Sequence, residues 1–460
     1  MKSLSLAQIA SMAAGTLHCG EANREIHAVS TDSRSIPAGC LFVALVGDTF
    51  DGHDFVLSAI ASGANAVLVA ESRVTGLCAE LPASAGVIGV PDTLVGLQKL
   101  AAAYRMLLGI RVIAITGSNG KTSTKDFTRA VLATRFAVNA TVGNLNNHIG
   151  LPITMLRQKP EQSHGVYELG MNHPGEIATL AALARPDVAV VTTLGTAHIE
   201  FFGTAEAIAE EKLSLFRFLS PSGTAVINLE SPRVAMALER VPGKMISVGI
   251  DKGDVRATQL EAEADGRIRF TVTAFGESAT VRLPVPGVHM VQNALLAIAV
   301  GLTEGVSLAD AAAALADGKL TKGRLQVKGW RGVTIIDDSY NANPDSMVAA
   351  LHTLAAQPSN ARRIAVLGKM GELGTHSAEA HALVGRTAST LNIDSVYTVG
   401  VQAEAISQAA GSKSKHFATH EACAQWLARE LQAGDVVLLK GSRSAAMENV
   451  FTALEGVHQP

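Results

Sequence analysis

The stretch from Arg111 to Thr124, RVIAITGSNGKTST, constrains the fold more than any other part of the chain. An apolar, β-branched run ends in a glycine-bracketed loop and passes at once into Lys-Thr and a helical pattern, so a buried strand must turn directly into a helix. Strands connected in this way lie parallel and need helices to cover them. Gly117 and Gly120 permit close backbone approach, and amides along Ser118, Asn119 and Ser123 with the helix N-terminus can surround a phosphate. Lys121 adds a point charge, and the Thr122 hydroxyl can sit on Mg²⁺. The loop is shorter than the usual phosphate loop, because only Ser118 and Asn119 separate its glycines. A glycine-rich turn can also be no more than a tight connection, but Gly-Lys-Thr at a helix start favours a nucleotide. With no NKxD-type stretch and no DxxG after the next strand, ATP is preferred to GTP.

The rest of the chain must supply that sheet and more. Its 460 residues, 48% hydrophobic and 17% charged, have room for about three domains of α/β class. Residues 1–108, with short strands in GCLFVALVG and NAVLVA and a helix over Thr93–Leu108, read as an N-terminal α/β unit. Residues 109–317 alternate strand and helix through HGVYELG and DVAVVTTLG, then alternate as antiparallel strands from Val255 to Leu283, and close on the helical VQNALLAIAVGL. Residues 318–460 read as a smaller, Rossmann-like α/β unit built on GVTIIDD, RIAVLG, SVYTVG and DVVLLKG. A net charge of −3 offers no basic field for nucleic acid, and nothing reads as a leader or a membrane span. Cys19, Cys40, Cys78 and Cys423 lack CxxC spacing, which argues against a zinc ribbon or disulfide framework and fits a reducing, cytoplasmic setting.

Three side chains outside the loop stand out. Glu168 ends GVYELG, and His198 follows DVAVVTTLG in GTAHIE, so both belong at the C-terminal ends of parallel strands, beside any nucleotide. With Thr122 they can hold a cation, though imidazole is an unusual ligand for magnesium. A helix-capping Glu and a loop-capping His are the plainer alternatives. Lys212 interrupts the apolar stripe of Ile208, Leu215, Phe216 and Leu219 in TAEAIAEEKLSLFRFL. A lysine draped over apolar surface and a buried amine of lowered pKa both fit that place.

In order along the chain come GSNGKT, TVGNLNNHIGLP (Thr141–Pro152), ELGMNHPGEI (Glu168–Ile177) and PGVHMVQNALLA (Pro286–Ala297). KGRL (Lys322–Leu325), DDSYNANPDSM (Asp337–Met347) and LGKMGELG (Leu367–Gly374) follow. Together they span nearly the whole chain, and it resembles the Mur ligase family, the ATP-dependent amide ligases of peptidoglycan precursor synthesis. The short loop is that family's own variant. The resemblance implies catalytic roles for Lys121, His198 and Lys212, the last carbamoylated by CO₂. It implies two Mg²⁺ ions, one on Thr122 and Glu168 and the other on His198 and the modified lysine. It puts Asn293 at the adenine with His289 nearby, Arg324 near the ribose or phosphates, and Asp338 and Asn341 at the nucleotide from the C-terminal unit.

The stretch STDSRSIPAGCLFVALVGDTFDGHDF looks like the family's uridine-nucleotide module, with Ser30, Thr31, Ser33 and Arg34 at the uridine diphosphate. Such a cluster can equally be a turn. Asn144, Asn146, Asn147 and His148 are expected at the muramoyl peptide, or form a loop stitched by its own amides. DNPR is absent and GELG present, as in the dipeptide-adding branch, which implies UDP-N-acetylmuramoyl-tripeptide and D-alanyl-D-alanine as substrates. Glu372, Lys440 and Ser442 then fall near the incoming dipeptide. Ser214 and Lys369 stand where many relatives carry acids. A monomeric enzyme is expected. The alternatives are another Mur-type ligase adding an amino acid, a folylpolyglutamate synthetase, which needs no uridine module, and a nucleotide-dependent switch that forms no bond.

Overall fold

The strand Arg111–Thr116 lies inside a nine-stranded sheet, between His164–Glu168 and Val188–Val191, and pairs in parallel with both. Its side chains alternate between two cores, as a strand's period of two requires. Ile113 and Ile115 join Phe127 and Leu295 on one face, while Val112 and Ala114 join Leu151 and Leu180 on the other. The computed structural model describes residues 1–236, 241, 243–263, 266–357 and 362–457. Helices Lys121–Leu132 and Val288–Thr303 cover the first face. Strands Val255–Ala262, Ile268–Ala274 and Glu277–Leu283 are antiparallel to one another, as their alternation predicts, and they continue the central sheet through the pairing of Val248 with Val255.

On the N-terminal side a five-stranded sheet runs in the order Thr16–Cys19, Gly86–Val90, Ala66–Ala70, Leu41–Val43, Val29–Ser30, with only the first pair antiparallel. The helix expected over Thr93–Leu108 is present with those limits. The Asp92 carboxylate accepts from the Val95 amide at 2.9 Å to start it, and Gly109, at φ 61°, ends it. Cys19 and Cys78 form a disulfide, which corrects the expectation that the cysteines carry no bridge. Strand Thr16–Cys19 packs against helix Val74–Glu80 and brings their Cα atoms to 6.3 Å, a proximity that a sequence separation of 59 hides. Cys40 and Cys423 are free and buried.

A six-stranded sheet completes the fold, with the hairpin Gln326–Trp330 and Val333–Asp338 at one edge and the parallel strands Val436–Lys440, Arg363–Leu367, Ser395–Val399 and Ser414–Phe417 following. Leu325, Ile336 and Met347 share one buried cluster with Ile113 and Phe127, so apolar packing continues from the central sheet into this one. Strand ends of the two sheets consequently face each other across a cleft. The helix read through Leu219 instead ends at Leu213 and tightens into a 3₁₀ turn over Ser214–Phe218. The Ser214 hydroxyl donates to the Glu211 carbonyl at 2.6 Å and competes for the bond that would continue the helix. Among the described residues no helix is long and apolar enough to cross a membrane.

Candidate active site

The phosphate loop is held from behind by glycines that cannot be anything larger. A Cβ on Gly117, at φ 148°, would lie 2.0 Å from the Thr192 hydroxyl, and one on Gly120, at φ 83°, would lie 2.3 Å from the Asn293 carbonyl oxygen. Lys121 closes the loop by donating to the Gly117 carbonyl at 2.8 Å. Burial lowers its amine below the ordinary value, against the attraction of Glu168. The Thr122 hydroxyl donates to Glu168 Oε2 and the Asn146 amide donates to Glu168 Oε1, both at 2.9 Å, so this carboxylate is fixed with its hydroxyl partner at the mouth of the loop. Ser118 accepts from the Gly195 amide at 2.9 Å, and the Asn119 amide donates to the Thr193 hydroxyl at 3.2 Å. Ser123 is buried behind the loop.

Lys212 has no exposed surface, its Nζ has no hydrogen-bond partner, and its pKa falls well below the ordinary lysine value through burial and the nearby charge of Lys121. The snorkelling alternative fails, because a snorkelling lysine keeps its ammonium in water. His198 and Glu372 face each other across the cleft, with Nδ1 2.6 Å from Oε2. The His198 ring beside it holds the Glu372 carboxyl below the ordinary carboxylate value. Both residues are left-handed, at φ 68° and 58°, a strained state for side chains other than glycine. Among the described residues no three His, Cys, Asp or Glu side chains converge as a metal cage.

A cavity of about 1180 Å³ joins Lys121, Thr122, Glu168, His198 and Glu372 to groups from both sides, and Lys212 does not line it. Asn144, Asn146, Asn147 and His148 line it from the loop before helix Gly150–Leu156. Asn147 also accepts from the Gly150 amide at 2.8 Å, so self-stitching and cleft lining coexist. From the C-terminal sheet come Arg324, Asn341 and Glu372. The Arg324 guanidinium lies 4.3 Å over the Tyr340 ring and 3.4 Å from the Thr122 hydroxyl. Asn293 is buried against Gly120 and Thr124. His289 opens on a separate cavity of about 350 Å³, and burial pulls its pKa down to about 4.

Six expected residues stand elsewhere or act indirectly. Lys440 is buried and donates to Asp338 at 2.6 Å and to the Asn341 carbonyl at 3.0 Å, so it anchors those two residues and does not reach the cleft. Ser442 is buried against Lys369, whose carbonyl accepts its amide at 2.8 Å. Ser30, Thr31, Ser33 and Arg34 surround a turn in which the Arg34 guanidinium grips Asp32 at 2.8–2.9 Å, outside the large cavity. Sequence reading missed Lys328 and Arg443, which line the cavity, and Asn343 and Asp345, which touch the loops of the central sheet. The signal available was the Asn-Pro-Asp at a helix start in DDSYNANPDSM.

Comparison with known proteins agrees with this geometry along the chain. Residues 25–105 match the Mur ligase family catalytic domain, 115–301 the Mur ligase middle domain, and 323–443 the Mur ligase glutamate ligase domain. UDP-N-acetylmuramoyl-tripeptide--D-alanyl-D-alanine ligase of Escherichia coli strain K12 is 40% identical over 99% of each chain. The chain belongs to the Mur ligase family. As a Mur ligase it is an ATP-dependent enzyme that forms an amide bond. The Bacillus subtilis strain 168 ligase of the same name is 37% identical over 97% of each chain. Among solved structures, MurF from Acinetobacter baumannii superposes with a TM-score of 0.89 at 34% identity, covering 99% of this chain and 100% of that one. MurF ligase from Thermotoga maritima in complex with ADP gives 0.84 at 31% identity, covering 94% of this chain and 97% of that one.

Proposed function

We propose that this Mur ligase joins D-alanyl-D-alanine to UDP-N-acetylmuramoyl-tripeptide in the cytoplasm, with ATP cleaved to ADP and phosphate. The carrying observation is Lys212, a fully buried amine without a partner beside a phosphate loop. A nucleotide switch has no use for such a group, whereas a neutral amine is the form that CO₂ converts to a carbamate. We assign residues 1–108 to the uridine nucleotide, 109–317 to ATP, and 318–460 to completing the ATP and dipeptide sites. Ser30, Thr31, Ser33 and Arg34 serve the uridine diphosphate, and the asparagines at 144, 146 and 147 with His148 serve the muramoyl peptide.

The donors fit two magnesium ions. A hard cation takes a hydroxyl and one carboxylate and completes its shell with phosphate oxygens and water, so no cage of three acidic or imidazole groups is needed. Thr122 and Glu168 would hold one ion, and His198 with carbamoylated Lys212 the other. Such ions supply the positive charge that lets two anions approach.

The tripeptide carboxylate attacks the γ-phosphorus, the bond to the bridging oxygen breaks, and ADP leaves. The dipeptide amine then adds to the acyl phosphate carbonyl, loses its proton, and expels phosphate. Lys121 and the loop amides take up charge on the transferring group. Arg324, held over Tyr340, reaches the phosphates from the other wall, and Asn293, Asp338 and Asn341 seat the nucleoside, while His289, on its separate cavity, does not touch it. Glu372 is the acid on the dipeptide side, with Lys440 and Ser442 supporting that wall from beneath. Phosphate release that requires both peptide substrates, matched one-to-one by the amide product in mass spectrometry, is the expected result. Unstimulated ATP hydrolysis without that product would overturn the reading.

A further inference from the structure

The loop that carries His198 is fixed by a residue of the opposite sheet. Helix Pro344–Ala355 begins with the Asn343 side chain as its cap, accepting from the Ser346 amide at 3.0 Å. Asn343 uses its remaining amide to donate to the Asn119 side chain of the phosphate loop at 2.8 Å. Beside it, Asp345 Oδ2 accepts from the Thr196 amide at 2.9 Å and the Thr196 hydroxyl at 3.2 Å. Bonds to a carboxylate are stronger than neutral ones.

Gly195 supplies an independent observation. Its backbone is not in the left-handed region, so conformation does not demand glycine there. Space does: a Cβ would lie 2.1 Å from Asp345 Oδ2, and the three nearest atoms all belong to Asp345. The Gly195 amide also donates to Ser118 at 2.9 Å, so the loop is clamped between the phosphate loop and the C-terminal helix. Downstream, His198 holds a left-handed backbone at φ 68°, which persists only where neighbours over-determine it.

We propose that Asp345 is a positioning residue, through which docking of the C-terminal sheet sets loop 195–198 and presents His198 to the cleft. The proposal rests on the reading of His198 as a metal-side group. Mispositioning a reacting constellation by about 1 Å costs on the order of 100-fold in rate. Three variants of the full chain test it: Asp345→Ala, Asp345→Asn and Gly195→Ala. Hydrogen exchange of peptides covering residues 194–203, read by mass spectrometry on ligand-free protein, needs no turnover.

Asp345→Ala and Gly195→Ala should each speed that exchange about 10-fold, and Asp345→Asn, which keeps an acceptor oxygen, should recover most of the protection. In the coupled assay, kcat should fall between about 10- and 100-fold while KM for ATP moves less than about 3-fold. The double variant should be no worse than either single one, because removing the carboxylate also removes the clash. Unchanged exchange in Asp345→Ala, wild-type kcat despite faster exchange, or losses that multiply in the double variant would each overturn the proposal. If the wild-type chain makes no amide from the named substrates, the functional reading fails, and the exchange data still decide whether the clamp exists.

Discussion

Lys212 and Lys121 share an environment and differ in what each loses by substitution. Lys212 has no exposed surface and no hydrogen-bond partner, and burial lowers its amine well below the ordinary lysine value, toward the neutral form that CO₂ takes up. Lys212→Ala should lower turnover at least about 100-fold, the scale on which groups that tune or hold a metal act. Short carboxylates such as formate or acetate should restore part of it, measured as phosphate release against carboxylate concentration. Rescue by chloride at equal ionic strength would contradict the carbamate role. Lys121 makes one bond, to the Gly117 carbonyl. Lys121→Ala should abolish acyl-phosphate formation with thermal unfolding shifted by no more than a few degrees, because the loop glycines and Thr192 still shape the turn. Periodicity identified Lys212 as anomalous. Its isolation from every acceptor is a three-dimensional fact.

At the scale of elements, one acidic residue joins three of them. Glu304 caps helix Val288–Thr303 at its C-terminal end and accepts from Arg111, first residue of the phosphate-loop strand, at 2.7 and 3.0 Å. It also contacts His164, which opens the neighbouring strand, at 3.3 Å. Burial alone would raise its pKa, but the hydrogen bonds from His164 and Arg111 hold it down to about 2. A depressed carboxylate stabilises the fold above its unfolded value near 4.5, and that contribution is lost as pH falls toward about 2. Glu304→Gln should therefore cost on the order of 2 kcal/mol at pH 7. The gap to wild type in urea midpoints should narrow steadily as pH falls below the unfolded value, and a pH-independent gap would show that packing rather than charge is responsible. None of this was visible in the sequence, where Glu304 follows an apolar helix as an ordinary surface acid.

Across the whole molecule, the C-terminal sheet shares an apolar core with the central one and, near the cleft, adds polar contacts of Asn343 to Asn119, Asp345 to Thr196 and Glu372 to His198. Asp126 adds a hinge contact, accepting from the amide and hydroxyl of Thr321 at 2.8 Å. Without a polyphosphate, the charges of Lys121 and Arg324 oppose each other across the same gap. Anionic ligand should relieve that repulsion and favour closure. Small-angle scattering should show a larger radius of gyration for the ligand-free protein and a profile matching the present arrangement when a non-hydrolysable ATP analogue and Mg²⁺ are added. Identical profiles would count against a ligand-driven hinge.

What the sequence determined by itself is whatever local pattern controls. The apolar run before Gly117 required a buried parallel strand, the helical pattern over Thr93–Leu108 gave a helix with those limits, and the ordered short motifs pointed to the family. The tertiary structure alone decided which distant groups meet. It turned Lys440 toward Asp338, bridged Cys19 to Cys78, and brought Asp345 against Gly195. The reason is physical: periodicity and capping act over a turn or two of chain, whereas these contacts depend on how two sheets register when their shared apolar core closes.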